Sequence, residues 1–202
     1  MNESDTGLEK ETIPFTLPTT ATQAKTLEVK YTISGSTFKT QLPTFKEGTA
    51  EELLHFINEF QQARNKFGYT TYQKLESGLE QLLQGNAHHE WITIKATVEP
   101  NSNTLATFTR RLEAFRRLYV PEPAAIEIQK NYLRRVRKND KFTVPQFLDR
   151  LKHINMLIQQ FPNATPQDSF TPEEVNSLFY YARRTNFINS GLNFSSSSLE
   201  TL

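Results

Sequence analysis

The chain contains no cysteine. Disulfide scaffolds and thiolate metal sites are therefore excluded within it. No apolar run approaches the length needed to span a bilayer. The first residues, Asn2, Glu3, Ser4 and Asp5, carry neither a basic start nor an apolar stretch. They predict no secretory signal. Glycine is scarce, at 7 of 202 residues, and no glycine-rich phosphate loop is present. Net charge is only +1, so the total favours neither a nucleic acid nor a membrane surface. Hydrophobic residues make up 37%, yet 15 Phe and 7 Tyr supply a core. The length suits one ordinary domain or two small ones.

What is present is helical periodicity. Leu105, Phe108, Leu112, Phe115 and Tyr119 recur every three or four residues. Ile126, Tyr132, Leu133 and Val136 follow similar spacing, as do Phe147, Leu151, Ile154, Leu157 and Ile158. Such stripes line one face of a helix and must be buried. Earlier, Thr49 and Glu52 form a capping box before Leu53, Phe56, Ile57 and Phe60, and Gly68 stops that helix. A second helix runs from Thr70 or Thr71 to Gly85. A third begins at Asn86 with Ala87, Trp91 and Ile92, and its β-branched tail over 92–98 is expected to unwind early. Thr143 and Thr171 cap two later helices, with Pro145 and Pro172 in their first turns. Val175, Leu178, Phe179 and Ala182 form the inner face of the last.

One segment differs. Leu27, Val29, Tyr31 and Ile33 alternate with polar residues up to Ser34-Gly35-Ser36, and Phe38 and Leu42 follow. This predicts a β-hairpin, with Pro43 limiting its second strand to a sheet edge. Residues 1–25 and 195–202 read as flexible tails. Pro121 and Pro123 break the helices and mark a domain boundary.

Charge is unevenly placed. Acids outnumber bases over 46–90. Over 103–141 the balance reverses, with Arg110, Arg111, Arg116, Arg117, Lys130, Arg134, Arg135, Arg137, Lys138 and Lys141 against Glu113, Glu122, Glu127 and Asp140. Arg134, Arg135, Arg137, Lys138 and Lys141 have three readings: a solvated face, non-specific contact with RNA phosphates, or pairing with the acidic part of another copy.

Other patterns carry no chemistry. Asp5-Thr6-Gly7 has the form of an aspartic-protease triplet but lacks the apolar strand such a site needs. His88, His89 and Glu90 are adjacent, so on a helix they diverge instead of converging on a metal. No nucleophile accompanies His55 or His153. The expectation is a protein that is not an enzyme, with no catalytic residues, no metal and no cofactor.

Four stretches, taken in order, resemble the Gag capsid proteins of LTR retrotransposons of the gypsy and copia kind, related to retroviral capsids. The first is Pro43-Thr44-Phe45-Lys46-Glu47-Gly48 before a helix with Phe56 and Phe60. The second is Leu82-Leu83-Gln84-Gly85-Asn86-Ala87 with Trp91. The third is the helix with Phe108 and Phe115. The fourth is Tyr132-Leu133-Arg134-Arg135-Val136 followed by Thr143-Val144-Pro145-Gln146-Phe147-Leu148-Asp149-Arg150-Leu151, similar to the major homology region. The resemblance implies an all-α, two-lobed subunit with a short N-terminal hairpin. Its N-terminal lobe would span 26–119 and its C-terminal lobe 123–194. Phe56, Phe60, Trp91, Phe108 and Phe115 would be signature core residues. Phe147, Arg150 and Leu151 would organise the C-terminal lobe. The implied role is a shell of many copies around the element's RNA, cytoplasmic, with no membrane and no small-molecule substrate. A monomeric adaptor binding peptides and a weak RNA-binding protein are the alternatives. Candidate contacts between copies are exposed apolar residues of the first helix, the hairpin, and residues 171–184.

Overall fold

The computed structural model describes residues 15, 25–33, 35–120, 124–138 and 142–189. The protein is mostly helical, with one antiparallel hairpin of strands β1 (Thr26–Ile33) and β2 (Ser36–Pro43). The helices are α1 (Ala50–Phe67), α2 (Tyr72–Leu82), α3 (Gly85–Thr97), α4 (Leu105–Tyr119), α5 (Ala125–Arg135), α6 (Val144–Ile158) and α7 (Pro172–Asn189). A single 3-10 turn, Pro166–Asp168, precedes α7.

The expected hairpin forms with Leu27 opposite Leu42, Val29 opposite Thr40 and Tyr31 opposite Phe38. Gly35 takes φ +82° in its two-residue turn. One face lies on α1, where the Tyr31 ring stacks on Phe67 at 4.0 Å between centroids. Caps set the helix ends. The Thr49 hydroxyl accepts from the Glu52 amide, and the Glu52 carboxylate accepts from the Thr49 amide at 2.8 Å. Thr143 with Gln146, and Thr171 with Glu174, repeat this reciprocal pattern.

The buried side chains form one continuous core, from the hairpin through α1–α4 to α5–α7. Residues of both expected halves contribute to it. α1 is the element they share, because it packs against the hairpin, α4 and α6. The expected hinge at Pro121, Glu122 and Pro123 lies outside the described residues, as do residues 195–202.

Several expectations are corrected. Phe15 falls in the stretch read as a flexible tail, yet it is buried against Phe161, with ring centroids 5.2 Å apart. Its backbone N–H donates to Gln129 Oε1 at 2.9 Å, and Gln129 Nε2 donates to its carbonyl at 3.1 Å. Gln129 is fully buried, so its amide needs both partners. The rest of residues 1–24 lies outside the described residues. The tail of α3 does not unwind early, since it is helical to Thr97. The Thr93 and Thr97 hydroxyls donate to carbonyls four residues back, and Arg111 donates to the Val98 and Glu99 carbonyls beyond. Leu105 and Ile92, counted among apolar stripes, are exposed. No large apolar side chain of α1 is exposed, so the first helix offers no apolar contact surface. All of them are used within the subunit.

Candidate functional site

Hydrogen bonds bring the first two motif stretches together. The Phe45 amide donates to the Leu82 carbonyl at 3.0 Å, and the Gln84 amide to the Phe45 carbonyl at 2.8 Å. The Ala87 amide donates to the Lys46 carbonyl at 2.9 Å. Gly85 belongs here for a steric reason. Its φ is +50°, and a Cβ would meet the Lys46 side chain at 2.8 Å. The Phe45 ring stacks near Phe56 at 5.7 Å and meets Tyr119 edge-on at 5.5 Å. Behind it, Trp91 contacts Phe108 and Phe115, each at 5.9 Å and edge-to-face. Phe56, Phe60, Trp91, Phe108 and Phe115 are all buried.

A second constellation joins α1 to α6. Phe147 and Leu151 are buried, and the Phe147 ring lies 6.3 Å from Phe179 of α7. Arg150 points the other way, onto Glu51 of α1. Its Nη2 donates to Glu51 Oε2 at 2.7 Å, and its Nη1 donates to Oε1. His153 Nε2 stands 3.5 Å from Glu51 Oε1. Contacts then advance together along both helices. His55 faces His153 with ring centroids 5.6 Å apart, and Asn58 contacts Met156 and Gln160. Gln160 in turn accepts from Arg116 Nη2 of α4 at 2.9 Å. The Glu113 carboxylate of α4 accepts from the Asn163 amide at 2.6 Å. Polar groups therefore fasten the C-terminal half to both α1 and α4.

Burial alone would raise the Glu51 pKa. Hydrogen bonds and charge from Arg150 and His153 outweigh it and hold the carboxyl at about 2. Burial likewise lowers the pKa of Arg116, against the opposing pull of Glu113. Tyr119 is pushed well above the usual phenol range by burial and by its bond to Glu90 Oε2 at 2.8 Å.

A third feature was not singled out in the sequence. Arg111 counted there only as one base among many, yet it is fully buried. Its guanidinium donates to the carbonyls of Val98, Glu99 and Ser102 and to the Tyr72 hydroxyl, closing the α3–α4 loop over α2. Glu51 counted there only among the acids of 46–90. No local pattern marks either residue, because their partners lie far away in sequence.

The basic residues sit at the end of α5 and just beyond. Arg134 pairs with Glu127 at 3.1 Å and lies over the Phe170 ring. Arg137 donates to the carbonyls of Arg135 and Val136, which ends the helix earlier than its apolar pattern suggests. Lys138 donates to the Phe142 carbonyl. Arg134, Arg135 and Arg137 remain exposed. Lys141 lies outside the described residues, as does the Asp5-Thr6-Gly7 triplet.

Glu90 is engaged by Tyr119, and the His88 and His89 rings stand 6.3 Å apart at 70°. Among the described residues no group of three His, Asp or Glu is gathered as a metal site. No described helix is long and apolar enough to cross a membrane. Compared with protein-family models, curated proteins and solved structures, the chain has no significant match in any of the three.

Proposed function

We propose that the protein is a self-associating structural subunit, the capsid part of a retrotransposon Gag, working as many copies around RNA in a cytoplasmic particle. The observation that carries this reading is the joining of the two motif stretches, Phe45-Lys46 against Leu82 to Ala87, over the Trp91–Phe108–Phe115 aromatic cluster. Residues chosen for family likeness, far apart in sequence, are what the fold packs together. Phe147 and Leu151 support it too, since both are buried; Arg150 is buried as well, but its bonds to Glu51 fasten it to α1, outside the C-terminal half. Assembly requires apolar surface left over after folding. Leu27 and Phe38 of the hairpin, Leu118 of α4, and Tyr180 and Tyr181 of α7 are exposed. Weak contacts repeated over a closed shell become collectively stable.

Electron microscopy of the purified protein at high concentration and salt tests this. Closed particles are the expected result. A monomer under every condition would instead favour the adaptor reading. RNA has a secondary place. Arg134, Arg135 and Arg137 form an exposed positive strip that suits phosphates without reading bases. Such binding should vanish at moderate salt.

A further inference from the structure

The sheet has only two strands, so β1 carries an outer edge with no strand beside it among the described residues. The phase of that edge follows from the hairpin. The Thr44 amide donates to the Lys25 carbonyl, and pairing then runs from Thr26 opposite Pro43 to Ile33 opposite Ser36. Odd-numbered residues of β1 therefore bond inward to β2. Thr26, Glu28, Lys30 and Thr32 present their backbone groups outward. All four are exposed.

The charges on this edge are complementary to themselves. Lys30 lies opposite Lys39 within the hairpin, an unfavourable like-charge pair. Glu28 reaches Lys39 at 3.0 Å, and Lys30 makes no ion pair among the described residues. We propose that β1 pairs antiparallel with β1 of a second copy, about a two-fold axis at Val29, with each Glu28 opposite the other copy's Lys30.

In that register Thr26 meets Thr32, and exposed Leu27 meets Tyr31 on the apolar face. Thr–Thr pairs and opposite charges are favourable cross-strand combinations, and Leu27 against Tyr31 takes exposed apolar surface out of water. Neighbouring registers are rejected. A shift by two residues sets Glu28 against Glu28, or Lys30 against Lys30. The β2 edge is also unsuitable. Its outward residues are Thr37, Lys39, Gln41 and Pro43, where Lys39 would meet itself or an uncharged residue and Pro43 lacks an N–H. A lysine on an edge strand ordinarily blocks pairing. Glu28, two residues away, turns that block into a match for one register only. The result is a four-stranded sheet with both helical bodies on one side, a closed isologous contact. This deepens the self-association proposed above by naming one contact, and the two can fail separately.

The test is sedimentation velocity at low salt over a concentration series, for wild type, Glu28→Lys, Lys30→Glu, the double exchange, and a mixture of the two single variants. A single strand pair is a small interface, so wild type should show a weak, concentration-dependent dimer. Each single variant should weaken it at least tenfold. The double exchange should restore it, and the mixture should form heterodimers. Because the chain has no cysteine, Val29→Cys should also cross-link to itself, whereas Gln41→Cys should not. Facing non-hydrogen-bonded residues lie about 4.5 Å apart between Cα atoms, within disulfide reach. A wild type that stays monomeric, or two single variants that associate as tightly as wild type, would overturn the pairing. Particles that form equally with Glu28→Lys would overturn it while leaving the capsid reading intact. A charge-dependent dimer that never builds particles would do the reverse.

Discussion

Replacing Arg150 by Met leaves Glu51 ionised, nearly buried, and without its main partner. The structure sets the size of the effect in two ways. The Glu51 carboxyl is held at about 2 instead of 4.5. A displacement of that size is worth about 3 kcal/mol of folding stability at neutral pH. Independently, removing one partner of a buried ion pair typically costs about 3–5 kcal/mol. The two agree. For a chain of this length the melting temperature should fall by roughly 10 °C. The sign with pH follows from the depressed value. Stability from an ionised Glu51 is fully present above its ordinary pKa and is lost as pH falls toward 2. By pH 3 the same arithmetic leaves about 1 kcal/mol. In Arg150→Met, burial is no longer opposed by the guanidinium, so Glu51 takes up its proton at higher pH. The gap between variant and wild type should therefore be wide at pH 7 and narrow at pH 3. Chemical denaturation at both pH values measures it, with Glu51→Gln/Arg150→Met expected to recover part of the loss at pH 7. A variant as stable as wild type, or a deficit equal at both pH values, would refute the reasoning.

Two other changes test different parts of the fold. Phe147→Ala removes a fully buried ring between α6 and α7 and should cost about 3–5 kcal/mol in denaturant unfolding. Because the core is continuous, the loss should appear in a single cooperative transition and not in a separate early one. Gly68→Ala isolates a backbone effect. Gly68 ends α1 at φ +65° with nothing within 4 Å of an added Cβ, so the expected cost of about 1 kcal/mol is conformational only. Thermal melting of that variant checks it, and Gly68→Asn should lose less.

The helices were legible because their signals are local. Thr49, Thr71 and Thr143 each cap the helix their position announces. The alternation around Gly35 likewise fixes the hairpin and its register. The aromatic signature residues were legible as core because burying a large ring is rarely optional. Polar partnerships were not. Arg150 was expected to organise the C-terminal lobe, and nothing within its own helix named Glu51, which lies 99 residues earlier. Phe15 stood in a Thr- and Pro-rich stretch whose composition reads as tail. Only the fold shows that the buried Gln129 amide holds it.

The expected division into two lobes rests on a local signal, and how the halves meet rests on distant ones. Proline at 121 and 123 predicts a break in helix, which does not say how the flanking halves pack. What decides the matter is the second face of α1. Its apolar stripe, Leu53, Phe56, Ile57 and Phe60, satisfies the N-terminal half. A polar row, Glu51, His55 and Asn58, lies on another side at spacings of three and four residues. Read alone, that row is a solvated face. In the structure Glu51 and Asn58 are buried, and the row meets Arg150, His153 and Met156 of α6 and Gln160 just beyond it. Such a junction differs from an apolar one in its demands. Each buried charge or amide must keep its partner, so the halves cannot slide past each other without leaving groups unsatisfied. An apolar seam would tolerate many offsets. The chain therefore holds its two halves in one orientation through hydrogen-bonded specificity.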